Sequence, residues 1–328
     1  MKQNRLSTGD HESRKRCSLE HLPRLVGAVA CLFLLLLITN LATAQDDPLF
    51  SQYMFNKMAY NPAYAGSRDG LSIDALYRTQ WTKIDNAPTN MLLTAHDVSN
   101  NDKYGFGGQI SRDVVGPISQ YGFYGAYAYR FHFGGNILAL GLQGGISYYS
   151  TNWAQLTAYQ QGDPAYPGTQ KNLIVPNFGA GIYFESKNIS ASFSVPHFIN
   201  NDIENKAQVF IDNNYYLELD YKIRINDKFM IVPASLLKFT GDEAQLNVNV
   251  YFVFIKSIWL GGGYRSDNSA NFTFQYEFRK DRQGFRIGYA YDLGNEAYRV
   301  PAGGSHEVML TYEFAKRAPL RPPLSIMH

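Results

Sequence analysis

The side chains best suited to catalysis are few and scattered. Beyond residue 44 the histidines are His96, His132, His197, His306 and His328. A hydrolytic site needs a histidine within hydrogen-bond reach of a nucleophile or a carboxylate, with a third group to orient it. His96-Asp97 puts two such types side by side, but neighbours on a strand point to opposite faces and cannot form a dyad there. No histidine pair has helical or hairpin metal-ligand spacing, and both cysteines, Cys17 and Cys31, fall in the first 44 residues. The Gly261-Gly262-Gly263 run lacks the Lys-Ser/Thr of a phosphate loop. The expectation is a protein that is not an enzyme and takes no metal or cofactor.

A second set of polar residues is more regular. Asp74, Arg78, Gln80, Arg130, Glu218, Asp220, Lys222, Arg224, Glu277, Arg279, Arg286, Asp292 and Glu313 stand between apolar neighbours, so that they share one face of a series of strands. Charges of both signs interleave on that face. Such a set either braces an enclosed interior or lines a path for ions and solutes, and the near balance of signs favours bracing.

The elements that would hold this face follow from period-two alternation. In Asn271 to Arg279 the apolar side is Phe272, Phe274, Tyr276 and Phe278; in Leu217 to Ile225 it is Leu217, Leu219, Tyr221, Ile223 and Ile225. About fourteen such segments run from residue 71 to 314, many of them nine to thirteen residues long. Alternate connections are short and turn-like, as at Gly134-Gly135-Asn136 and Ser186-Lys187-Asn188. The other series includes the long stretches 150–173 and 197–213. A pair of soluble β-sandwiches would show shorter strands and a buried face of Val, Leu and Ile. Long strands, even in number, with Tyr- and Phe-rich apolar faces, predict a transmembrane antiparallel β-barrel of about 14 strands.

Composition agrees once a leader is set aside. Arg14, Lys15, Arg16 and Arg24 precede the apolar run Leu25 to Ile38, and Ala42-Thr43-Ala44 follows, the three-part layout of a secretory signal peptide cleaved after Ala44. Its removal takes six of the 30 Lys+Arg and three of the 28 Asp+Glu, leaving 24 − 25 = −1, so no basic footprint for nucleic acid remains. The expected divisions are a signal peptide at 1–44, an amino-terminal segment at 45–69, a barrel at 70–314 and a short disordered tail at 315–328. Within the segment, Asp47-Pro48 reads as a helix cap with a first-turn proline. Phe50, Met54 and Met58 then recur at i, i+4 and i+8 before Asn61-Pro62, which predicts a short amphipathic helix that plugs the lumen or packs under its mouth.

The run Asp47-Pro48-Leu49-Phe50-Ser51-Gln52-Tyr53-Met54-Phe55-Asn56, then Asn61-Pro62-Ala63-Tyr64-Ala65-Gly66, then Tyr77-Arg78-Thr79-Gln80-Trp81, resembles the PorP/SprF family of type IX secretion system outer-membrane proteins. The likeness extends over essentially the whole chain after the leader. It implies a non-enzymatic outer-membrane barrel that assists export of large surface adhesins and their anchoring at the cell surface, as in gliding motility. The implied partners are the adhesins' C-terminal domains, the type IX secretion machinery, a periplasmic peptidoglycan-binding lipoprotein and outer-membrane lipid, with both termini periplasmic. Leu49, Phe50, Ser51, Gln52, Tyr53, Asn61, Pro62, Ala63, Tyr64, Gly66, Arg78, Gln80 and Trp81 match the family motif and are expected to seat the amino-terminal segment against the barrel. The alternative is a general diffusion porin, which the charged interior and the strand number would allow.

Overall fold

The computed structural model describes residues 49–152, 170–199, 213–241, 243–293 and 303–316. The leader, the Asp47-Pro48 cap and the tail after Lys316 lie outside the described residues. The strands are β1 (Gly70–Thr79), β2 (Thr89–Val98), β3 (Tyr104–Val115), β4 (Ile118–Phe133), β5 (Asn136–Asn152), β6 (Gln170–Glu185), β7 (Ile189–Val195) and β8 (Asn214–Tyr221). They continue with β9 (Ile223–Asn226), β10 (Phe229–Thr240), β11 (Glu243–Phe254), β12 (Ile258–Arg265), β13 (Ser269–Lys280), β14 (Gln283–Leu293) and β15 (Ser305–Ala315). β8 and β9 both pair with β10, in one register from Asn214 to Arg224 and with a bulge only at the Phe229/Met230 step, so they are two halves of a single stave interrupted at Lys222. Fifteen segments therefore make fourteen staves.

Every neighbouring pair is antiparallel, and β15 pairs with β1 from Gly70↔Ala315 to Thr79↔His306. That pairing closes the sheet into a barrel and leaves no edge strand, the arrangement that satisfies every ladder hydrogen bond in a lipid environment. Turns at 99–103, 134–135, 186–188, 227–228, 255–257 and 281–282 lie at one end, together with the start of β1 and the end of β15. The opposite end carries the longer connections 80–88, 153–169, 196–213 and 294–304, with short ones between.

Burial is inverted relative to a water-soluble protein. Outward positions are large and apolar and keep their exposure, as at Leu142, Ile174, Phe178 and Phe272, each around three-fifths exposed. Inward positions are polar and buried, among them Ser72, Asp74, Arg78, Thr94, His96, Arg130, Glu218, Asp220, Gln275 and Glu307. This is the lipid-out, polar-in order of a transmembrane barrel. His96 points inward while Asp97 does not, as their alternation requires.

The amino-terminal segment is not an α-helix. It forms three single-turn 3-10 helices, Tyr53–Phe55, Lys57–Ala59 and Pro62–Tyr64, the last capped by the Asn61 side chain, which accepts from Ala63 N at 2.9 Å. Nearly every residue from Leu49 to Ala65 is buried, polar ones included. A helix with one apolar face presupposes a wet face, and this segment has none.

Candidate functional site

The barrel's interior is filled by residues 49–68, which touch strands around the whole circumference. The tip is held by one carboxylate of β15. Glu307 accepts from Ser51 N at 3.0 Å and from Gln52 N at 2.9 Å, so two consecutive backbone donors share its two oxygens. Arg78 of β1 donates to Glu307 at 3.0 Å and to Asp292 of β14 at 2.5 Å, and Ser51 Oγ also donates to Asp292. Arg265 of β12 approaches Ser51 Oγ at 3.4 Å, and Gln275 of β13 donates to Gln52 Oε1 at 2.8 Å. Charges buried this fully persist only when paired and hydrogen-bonded, and here each meets an opposite partner.

A second polar anchor lies at the middle of the segment. Lys57, 2% exposed, places Nζ 2.5 Å from Asp220 and 2.7 Å from Glu218 on β8, and 3.0 Å from Ser190 Oγ on β7. The two carboxylates and the Ser190 hydroxyl together supply the partners a buried ammonium requires.

The third anchor is steric. Asn61 Nδ2 donates to Ile182 O of β6 at 3.0 Å, and Ser194 Oγ of β7 donates to Tyr60 O at 2.8 Å. A Cβ at Gly181 would stand 2.0 Å from Asn61 Oδ1, one at Gly141 of β5 2.2 Å from Ala63 N, and one at Gly105 of β3 1.9 Å from Ala65 O. Glycine lets the two backbones approach this closely. The segment leaves the lumen through Gly66, at φ +76°, whose N–H donates to His96 Nδ1 at 3.2 Å and whose carbonyl accepts from Arg130.

Between the anchors the contact is apolar. Phe55 meets Tyr251 and Trp259 edge-on with centroids 5.3 Å apart in both cases, Tyr60 lies 5.0 Å from Tyr216, and Tyr64 lies 5.2 Å from Tyr183. Edge-to-face pairs of this kind contribute about 0.5–1.5 kcal/mol each beyond the area they bury. A separate ionic group, Arg68, Glu277, Arg286 and Glu313 with the half-exposed Arg279, links β13, β14 and β15 to the segment's last residues. Among the described residues the arrangement fills and braces the bore.

A model of the family described as type IX secretion system membrane protein PorP/SprF matches residues 42–312. The chain belongs to that family. It is a PorP/SprF outer-membrane β-barrel of the type IX secretion system. No curated protein matches the sequence. Among solved structures it is similar to the Pseudomonas putida toluene transporter TodX, at 8% identity over 79% of this chain and 93% of that one, with a TM-score of 0.44. It is also similar to a Pseudomonas aeruginosa FadL homologue, at 11% over 78% and 93%, TM-score 0.42. Outer membrane phospholipase A from Escherichia coli follows at 13% over 74% and 89%, TM-score 0.33. Likeness at this level transfers neither cargo nor chemistry.

Most of the residues expected to seat the amino-terminal segment converge on the lumen. Leu49, Phe50, Ser51, Gln52, Tyr53, Asn61, Pro62, Ala63, Tyr64 and Gly66 all lie in the segment, and Arg78 reaches it from β1. Gln80 and Trp81 do not join them. Both follow the end of β1; Gln80 faces Asn90 at 3.3 Å, and Trp81, at φ +45°, keeps 37% exposure in the β1–β2 connection. Of the expected interior charges, Asp74, Arg130, Glu218, Asp220, Lys222, Glu277, Arg286 and Asp292 are buried inside and Arg279 is partly so. Arg224 keeps the inward parity but stands at the stave's end with its side chain exposed, because the wall there extends past the filling.

Sequence reading did not single out Lys57, Glu307, Arg265 or the inward aromatics Tyr216, Tyr251 and Trp259. The aromatics did leave a signal: Tyr251 and Val253 continue the polar register of Asn247 and Asn249, an apolar patch on a polar face, which marks where an interior partner must sit. Lys57 and Glu307 left none, since a charged residue in a polar register looks like any other.

Proposed function

We propose that this PorP/SprF barrel is a non-enzymatic accessory of type IX secretion that helps export surface adhesins and anchors them at the cell surface through their C-terminal domains, in support of gliding motility. In this reading a signal peptide is removed after Ala44, the short-turn end and the carboxy-terminal side of the barrel face the periplasm, and a peptidoglycan-binding lipoprotein docks there. The observation that carries it is the lumen occupied by the chain's own residues 49–68, with Lys57 and Glu307 as buried polar anchors. A barrel filled in this way is suited to presenting surfaces and poorly suited to passing solutes. Deleting the gene in a strain without paralogues is expected to abolish surface attachment of the adhesins; unchanged secretion and attachment would overturn the reading.

The second reading, a general diffusion porin, draws on the charged interior and the fourteen staves. Planar-bilayer recording separates the two. Silence of the intact protein, with conductance appearing once residues 46–66 are deleted, supports an occupied lumen; stable open conductance of the intact protein supports the porin.

A further inference from the structure

The two ends of the amino-terminal segment lie at different mouths of the barrel. Ser51 and Gln52 bind Glu307, which is two residues from the start of β15, and Ser51 binds Asp292, one residue from the end of β14. Both positions, like Arg78 beside the end of β1, belong to the end that carries the long connections. Arg68, at the other end of the segment, lies 3.3 Å from Glu313, two residues before β15 finishes at the short-turn end. Glu307 and Glu313 are 313 − 307 = 6 residues apart on one strand, about 20 Å at roughly 3.3 Å per residue. The segment thus runs most of the length of the bore, from the long-loop mouth at Leu49 back to the short-turn mouth where β1 begins.

We infer that the chain's amino terminus emerges at the long-loop mouth, on the opposite side of the membrane from its carboxy terminus. With the orientation proposed above, that is the cell exterior, so an amino terminus in the periplasm is replaced by one presented among the outer loops. The polarity of the threading is fixed by covalent order: Gly70 must start β1 at the short-turn end, while Ser51 and Gln52 are held at the long-loop end by Glu307 and Asp292.

Single cysteines test this, since the chain's own cysteines, Cys17 and Cys31, precede Ala44 and the wild type serves as the blank. Asp46→Cys, with Gln45→Cys as a second placement, is compared with Lys83→Cys in the exposed β1–β2 connection and Lys187→Cys in the exposed β6–β7 turn. Cells are treated with a membrane-impermeant PEG-maleimide before and after outer-membrane permeabilisation, and heat-modifiable gel mobility verifies that each variant is folded. Labelling of Asp46→Cys in step with Lys83→Cys, on whichever side Lys83→Cys reacts, is the expected result. Labelling in step with Lys187→Cys, or only after denaturation, overturns the inference. Should Lys187→Cys react in intact cells and Lys83→Cys not, the orientation proposed above fails while the threading stands or falls on Asp46→Cys alone.

Discussion

Replacing Lys57 by methionine removes the cation that ion-pairs with both Asp220 and Glu218 while keeping most of the side chain's volume. Asp220 and Glu218 have side chains 0% and 4% exposed, so the substitution strands two carboxylates away from water. Removing one partner of a buried ion pair costs about 3–5 kcal/mol, because the charge left behind has lost its compensation. For a chain of this size a cost of that order lowers the midpoint of thermal unfolding by roughly 6–20 °C. The temperature at which the folded gel band converts to the unfolded one, measured in detergent, reads the shift. The decisive comparison is the triple variant Lys57→Met, Glu218→Gln, Asp220→Asn, which removes all three charges and is expected to recover most of the loss. A single variant as stable as wild type, or a triple variant no better than the single one, would refute the assignment of Lys57 as an electrostatic lock.

Gly181→Ala and Gly141→Ala each drive a Cβ into the Asn61 to Ala63 turn and should cost about 1–3 kcal/mol, with ion conductance appearing if the turn is pushed out of the bore. Trp81→Ala should change stability by no more than about 0.5 kcal/mol, since the ring is not part of the filled lumen; a loss the size of the Lys57→Met effect would show that Trp81 does seat the segment after all.

The wall of the barrel was legible because lipid and lumen impose opposite demands on alternate residues. Strands such as Asn271 to Arg279 announce both faces at once, and β13 (Ser269–Lys280) closely matches the span read from alternation. The filling was not legible, for a physical reason. Phe50, Met54 and Met58 do recur at helical spacing, but spacing predicts a helix only where backbone donors have no better partner than the carbonyl four residues back. Here Phe50 N donates to Tyr60 Oη at 2.8 Å, and Ser51 N and Gln52 N donate to Glu307. Glu307 of the wall and Tyr60 of the segment itself supply these donors with partners, and the chain takes three tighter turns that fit the bore.

The interior charges then divide by what they face. Arg78, Asp292, Glu307, Glu218 and Asp220 are completed by Ser51, Gln52 and Lys57 of the segment, whereas Glu277, Arg279, Arg286 and Glu313 bridge strands with help from Arg68 alone. In a barrel emptied of the segment, the second group would keep most of its partners, Asp292 and Glu307 would keep Arg78, and Glu218 and Asp220 would lose Lys57. Charge balance inside this barrel is therefore a property of wall and segment together. A solute path would need the opposite design, a wall satisfied by water with the segment absent, and in that design Glu218 and Asp220 would not depend on Lys57. The paired state of Lys57 is thus the strongest single argument that the segment is a fixed part of the folded barrel.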